Sequence, residues 1–382
     1  MKKLVRYLLI FLGFLLFASL ILYVLGYGYI FKAVSTTYLT GHKTAFIDDY
    51  PYFENHVIKN SDSIQEWPLH RAYNEVEATS TLDSLNRELE TAAFLIIKND
   101  SIWFEKYYDG YGKKSKTNSF SMAKSIVTAL MFKAIQDGYI ENINQPVADF
   151  YPQFDKSLSV GDLSSMSTGL NWDENYYNPF GSTARAYFGK NIREQILALE
   201  VVEEPGQEFE YLSGNTELLG MVIEKATGTS LSNYLSQSFW KPLGMNDDAL
   251  WQLDSEESEM EKAYCCISSN ARNFGKFGKL FKNYGAWKGQ QLLDSSFIAL
   301  ASKPRFEESP YYGFGFWLSD YKGKEIFYMR GVLGQYVIII PEDNLVIVRL
   351  GRKLIRKGEE EKHYKDFYMY IDEAYNMLDH AS

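Results

Sequence analysis

Histidine is scarce in this chain of 382 residues. Five are present, His42, His56, His70, His363 and His380, and none falls between residues 71 and 362. A Ser-His-Asp triad would have to draw its histidine from one end of the chain, and no Gly-x-Ser-x-Gly elbow is there to present the serine. His-Glu-x-x-His and Cys-x-x-Cys are missing, and the first three histidines lack ligand spacing, so the sequence calls for no metal. Gly-x-Gly-x-x-Gly and the phosphate loop are missing too, so no cofactor is implied. A formal charge of −10 without an offsetting Lys/Arg stripe argues against nucleic acid. The two cysteines, Cys265 and Cys266, are neighbours. Bridging neighbours needs a strained ring, so they are expected as small core residues rather than as a structural disulfide.

What the chain does have begins at its N-terminus. Lys2, Lys3 and Arg6 precede an uncharged apolar segment from Tyr7 to at least Leu25, long enough to cross the hydrocarbon of a bilayer. The positive cluster comes first, which predicts a cytoplasmic N-terminus and the rest of the chain outside, periplasmic or extracellular. Leu20-Ile21-Leu22 continue the apolar run past Ala18-Ser19, so residues 1–31 read as an uncleaved transmembrane anchor rather than a cleaved signal. Residues 32–82 are of mixed polarity with little periodicity and read as a connector that partly packs on the domain behind it.

The chemistry concentrates at Ser119-Phe120-Ser121-Met122-Ala123-Lys124-Ser125. An apolar run from Ile126 to Ile135 follows and Asp137-Gly138 closes it, which predicts a buried helix with a glycine cap. Ser121 and Lys124 stand at i and i+3 in its first turn, on one face. Desolvation and the positive helix end both depress a lysine pKa there, so neutral Lys124 can take the proton of Ser121. A serine nucleophile then needs no histidine. Ser-x-x-Lys also arises by chance, and Lys124 could snorkel from an ordinary core helix. The rest of the chain decides.

Thr91–Lys98 and Ser101–Tyr108 read as a hairpin around Asn99-Asp100. Helices are expected at Leu82–Leu89, Val160–Met166, Thr216–Ala226, Leu231–Trp240, Ala271–Tyr284 and from about Glu359 to Leu378. Residues 172–190 are rich in Tyr, Asn and Gly without periodicity, which suits a loop over a site. Strands return at Gly313–Leu318, Glu325–Met329, Gln335–Ile340 and Asn344–Leu350. Strands at both ends with helices between predict an α+β fold for residues 83–382, with terminal segments sharing an antiparallel sheet and the middle forming a helical lobe.

Four blocks in order resemble the serine β-lactamase and penicillin-binding superfamily. They are Ser121-Met122-Ala123-Lys124; Leu163-Ser164-Ser165-Met166-Ser167-Thr168-Gly169-Leu170; Pro205-Gly206 with Phe209-x-Tyr211-x-Ser213-Gly214-Asn215-Thr216; and Leu218-Leu219-Gly220. The third-motif position falls on Met329-Arg330-Gly331, which keeps only the glycine. Tyr211-x-Ser213-Gly214 and Glu174-x-Tyr176-x-Asn178-Pro179 are similar to the class C-like esterase and 6-aminohexanoate-oligomer hydrolase branch. The resemblance implies Ser121 as nucleophile, Lys124 as base and Tyr211 as proton relay. It implies an oxyanion hole from the N–H groups of Ser121 and Val332, and contacts to substrate from Tyr176, Asn215 and Gly331.

Where the superfamily carries Lys or His in its third motif, this chain has Met329. The usual grip on a penicillin carboxylate is lost, and Arg330 is its charged neighbour, although strand alternation points the two side chains to opposite faces. The resemblance, joined to the N-terminal anchor, therefore implies a membrane-anchored serine hydrolase acting on a small-molecule ester or amide. A D-Ala-D-Ala carboxypeptidase and a non-catalytic ligand-binding or sensor domain of the same fold are the alternatives.

Overall fold

The computed structural model describes residues 2–358 and 361–380. Two helices open the chain, α1 (Lys2–Val24) and α2 (Tyr29–Thr36). By length and composition α1 is able to cross a membrane, and none of its residues is buried by the protein. The hairpin follows as β1 (Thr91–Lys98) and β2 (Ser101–Tyr107), turning on Asn99 and Asp100, both at positive φ. Such a turn matches the twist of the strands that it joins. Then come α3 (Met122–Gln136), α4 (Ser182–Phe188), α5 (Ser213–Thr227) and α6 (Ala271–Lys282). Four strands, β3 (Trp317–Ser319), β4 (Ile326–Gly331), β5 (Gln335–Ile340) and β6 (Leu345–Gly351), lead to a last helix, α7 (Lys365–Asp379).

The main sheet has the order β2-β1-β6-β5-β4-β3 and is antiparallel throughout. The first and last thirds of the chain thus build one sheet, as expected. Its central strands are buried on both faces, which is why β5 and β6 are almost continuously apolar. One face packs on α3 and α6. The other packs on the Ser80–Glu88 helix and on the Phe367, Tyr370, Ile371, Ala374 and Met377 stripe of α7. Each large apolar side chain fully buried in this way contributes about 1.5–3 kcal/mol.

A second, smaller sheet leads directly into Ser121. Asn55–Ile58 pairs with Ala249–Gln252, which pairs with Ile267–Ser269, which pairs with Thr117–Asn118 just before Ser121. The first of these strands lies in the segment read as a connector, so that segment contributes to the fold as well as packing on it. Ser119 continues the tie, donating its N–H to Ile267 O at 2.8 Å and accepting from Ile267 N–H through its hydroxyl at 3.1 Å.

Other expectations need adjusting. Cys265 and Cys266 are bonded to each other and both are buried, which overturns the reading of two free core cysteines. Cys266 takes a left-handed backbone, φ 75°, a conformation that the sequence alone does not announce. The expected helix over Leu231–Trp240 divides into an α-helix to Leu235 and a wider turn over Ser236–Trp240. The last helix starts at Lys365; Glu359, its expected start, lies outside the described residues.

Candidate active site

Ser121 caps α3 at its N-terminus, directly after Phe120, which is held at φ 46°. Strain of this kind in a non-glycine residue costs about 1–3 kcal/mol and persists where the surroundings impose it. Here the imposing neighbours are the small sheet on one side and the buried α3 on the other. Gly138, at φ 81°, ends the helix where the sequence placed a cap.

Lys124 lies one turn on and is buried to 2% exposure. Its Nζ has three oxygen neighbours: Ser121 Oγ at 3.2 Å, Ser213 Oγ at 3.1 Å and the Tyr264 carbonyl at 2.9 Å. Burial lowers its pKa to about 8, against the opposing pull of Glu174 and Glu217. Burial also pushes the Glu217 carboxyl up to about 8, despite hydrogen bonds from Tyr264 N–H and Ala263 N–H.

The hydrogens around Lys124 can be counted. Ser213 has one hydroxyl proton and donates it to Glu174 Oε1 at 2.7 Å, so the hydroxyl must accept from Lys124. The Tyr264 carbonyl can only accept. Both N–H bonds of a neutral lysine are then committed, and its lone pair is left facing Ser121. Glu174 is fixed in turn, its Oε2 accepting from Ser213 N–H at 2.6 Å and Trp172 Nε1 at 2.8 Å, and its Oε1 from the Tyr176 hydroxyl. Neither Glu174 nor Ser213 was singled out from the sequence for this role; the Glu-x-Tyr and Tyr-x-Ser spacings were the available signal.

Tyr211 comes from the segment before α5 and lies against Ser121, with Lys124 Nζ 5.2 Å from its ring centroid. Burial raises the pKa of the Tyr211 phenol well above the tyrosine range, and contact with Ser121 and the charge of Arg330 only partly offset it. The phenol is therefore protonated at neutral pH and suited to handing a proton on rather than to starting as a base. Its ring packs on Trp317, centroids 5.4 Å apart, and the Arg330 guanidinium lies over the Trp317 ring, 3.2 Å from its centroid. Met329, on the other face of β4, is buried in the core shared with α3.

Gly331 ends β4, and β3 pairs only as far as Tyr328, so β3 leaves Met329–Gly331 uncovered. A Cβ at Gly331 would stand 2.3 Å from Ser119 O, so only glycine allows this strand end so near the Ser119–Ser121 turn. The following turn is clamped. Gln335 Nε2 donates to Val332 O at 3.1 Å, and the buried Arg349 donates through Nη1 to Leu333 O and Gly334 O. The clamp holds the three peptides that directly follow the Val332 N–H.

The structure thus brings together Ser121, Lys124, Tyr211 and the Gly331–Val332 turn. Tyr176 touches the cluster through Glu174, with its ring half exposed. Asn215 does not join them. It is wholly buried, accepting from Thr168 Oγ1 at 2.7 Å and facing Met166 Sδ, so its expected contact with substrate is replaced by a role in joining α5 to the Thr168 turn.

A family model, "Beta-lactamase", matches residues 75–366. The chain belongs to the beta-lactamase family. Within curated proteins, this family member is 24% identical over 235 residues to a 6-aminohexanoate-dimer hydrolase of Paenarthrobacter ureafaciens, covering 57% of this chain and 59% of that protein. It is 27% identical over 176 residues to protein flp of Staphylococcus aureus, covering 42% of this chain and 35% of that one. It therefore spans less than two thirds of the length of these relatives. Among solved structures, a Bacillus anthracis protein provisionally named a 6-aminohexanoate-dimer hydrolase superposes with a TM-score of 0.74. The two share 20% identity, with 93% of this chain and 94% of the other covered. That likeness establishes a beta-lactamase-like α+β fold.

Proposed function

We propose that this beta-lactamase family member is a serine hydrolase that cleaves an ester or amide through an acyl-enzyme on Ser121. The observation that carries the reading is the Lys124 amine, buried and 3.2 Å from Ser121 Oγ, with both other neighbours able only to accept from it. Lys124 takes the Ser121 proton as Oγ bonds to the substrate carbonyl carbon. The tetrahedral oxyanion is received by the N–H groups of Ser121 and Val332, donors held in place before the charge develops. The bond to the leaving alcohol or amine breaks as Tyr211 passes it the proton, and Lys124 resupplies Tyr211. Water then attacks the acyl-enzyme by the same groups in reverse, giving a carboxylic acid and free Ser121.

The named activity of the Paenarthrobacter relative supports an amide or ester of a short linear acid as a starting class of substrate. The burial of Met329 supports separating the chain from carboxylate-gripping peptidases, since the third-motif cation of the superfamily has no counterpart on that face of β4. We further read α1 as the anchor that holds the catalytic body at a membrane surface, outside the cytoplasm.

The test is turnover by the purified full chain of p-nitrophenyl acetate, aminohexanoate oligomers and muropeptides, beside Ser121→Ala. Hydrolysis of at least one that Ser121→Ala abolishes is the expected result. Equal turnover by wild type and Ser121→Ala overturns the proposal.

A further inference from the structure

The segment leaving α1 is docked on the loop that reaches the nucleophile. Only residues 25–28 separate α1 from α2, a link that spans at most about 15 Å even when fully extended. From this link Tyr27 sets its ring edge-on to Phe180, centroids 5.1 Å apart at 87°. Tyr29, the first residue of α2, donates its hydroxyl to Pro179 O at 3.0 Å, and α2 packs beside α4. Pro179 and Phe180 belong to the same short loop as Glu174 and Tyr176. The loop that fixes Ser213, and through it Lys124, is thus fastened a few residues from the end of the apolar helix.

The chemistry of the two contacting segments matches. No charged residue occurs from Tyr7 to Phe31, and none from Asn175 to Ala184. Tyr177 is 81% exposed and Phe180 54% exposed, while Phe31, Tyr38 and Leu39 are exposed on and just beyond α2. Uncharged, aromatic-rich segments at the end of a spanning helix are the material of the membrane–water interface, where amphipathic rings sit among headgroups. Elsewhere the large apolar side chains are mostly in the core, so the placement of these beside the site loop asks for an occupant, and a bilayer spanned by α1 supplies one.

We propose that the tip of the 172–181 loop lies in the headgroup layer of the bilayer that α1 spans, and that the substrate is an amphiphile resident in that bilayer. Its apolar part stays among the lipids while an ester or amide bond near the headgroup reaches Ser121. The chemistry is that given above: the acyl carbon bonds to Ser121 Oγ, the alcohol or amine leaves with the proton, and water releases the acid. This inference rests on that hydrolase reading and on α1 remaining in the membrane.

The test uses the full chain reconstituted in phosphatidylcholine vesicles. A Tyr177→Cys variant carries an environment-sensitive nitrobenzoxadiazole label, the native cysteines being bonded and buried. Lipids with a nitroxide near the headgroup are expected to quench it, and to leave the same label unquenched at Lys288→Cys on an exposed charged turn. In parallel, Tyr177→Ser combined with Leu39→Ser is assayed on p-nitrophenyl acetate in water and on p-nitrophenyl palmitate dissolved in the vesicles. The double variant should keep acetate turnover and lose about tenfold on the palmitate ester, as apolar contact with the bilayer is removed. If the 177 label stays unquenched, or the double variant loses nothing on palmitate while wild type hydrolyses acetate, the bilayer inference falls and the hydrolase stands. If wild type hydrolyses neither ester nor any compound of the panel above, the hydrolase reading itself falls.

Discussion

Lys124 Nζ stands 3.1 Å from the hydroxyl of Ser213, and that hydroxyl has given its only proton to Glu174. A carboxylate two hydrogen bonds from Lys124, and three from Ser121, thereby decides which way the lysine lone pair points. The arrangement parallels the part that an aspartate plays for a catalytic histidine, fixing a proton position without exchanging the proton itself. Glu174 is a positioning residue in this account.

Glu174→Gln separates that role from mere packing. An amide can donate to Ser213, which frees the serine proton to point at Lys124 and occupy its lone pair. The turnover number should fall about 10- to 100-fold, the worth of one hydrogen bond to a charged group. Glu174 also raises the lysine pKa by its charge, so the acid limb of the pH–rate profile should move down. A purely structural role would lower activity without moving the limb.

The wild-type limb has a sign and a place. Lys124 acts only when neutral and its pKa is lowered to about 8, so kcat/KM for an uncharged ester should rise with pH and level off above about 8. A profile measured from pH 6 to 10 checks this. Lys124→Arg, which stays charged across that range, should lose about 10²–10⁴-fold while remaining folded.

Tyr211→Phe should depend on the leaving group. Nitrophenolate departs without a proton, whereas an amine cannot. Because burial keeps the Tyr211 phenol protonated, its loss should cost an amide substrate about 100-fold or more and a nitrophenyl ester much less. Equal losses on both would assign Tyr211 to shaping the pocket.

Much of this was legible in the sequence, for identifiable reasons. Ser121 and Lys124 share a helical face fixed by local spacing, and apolar runs such as Val337–Ile340 announce buried strands wherever their partners lie. The Tyr264 carbonyl that completes the lysine's surroundings has no signature, because backbone atoms look alike in every residue. Glu174 sits in a loop without periodicity, so its approach to Ser213 depends on tertiary packing. The pairing of Asn55–Ile58 with Ala249–Gln252 links segments far apart in the chain, which no local pattern reports. Asn215 shows the opposite error. Its place beside Tyr211 and Ser213 suggested the site, yet helical geometry turns it inward to Thr168.

Gly331→Ala tests the oxyanion turn. The added methyl would meet Ser119 O at 2.3 Å, so the β4 end must back away from the serine. A loss of about 10²–10³-fold in kcat is expected, the size seen when one oxyanion donor is removed, with the thermal transition only modestly lowered. Little change in rate would place the second donor elsewhere.

The central claim is that Ser121 is the nucleophile, and a fluorophosphonate reports on it most directly. Wild type at pH 8.5, treated and then measured by intact mass and peptide mapping, should gain one phosphonyl group on Ser121, while Ser121→Ala gains none and Glu174→Gln gains it more slowly. A phosphonyl group on any other residue, or undiminished labelling of Ser121→Ala, would contradict the account.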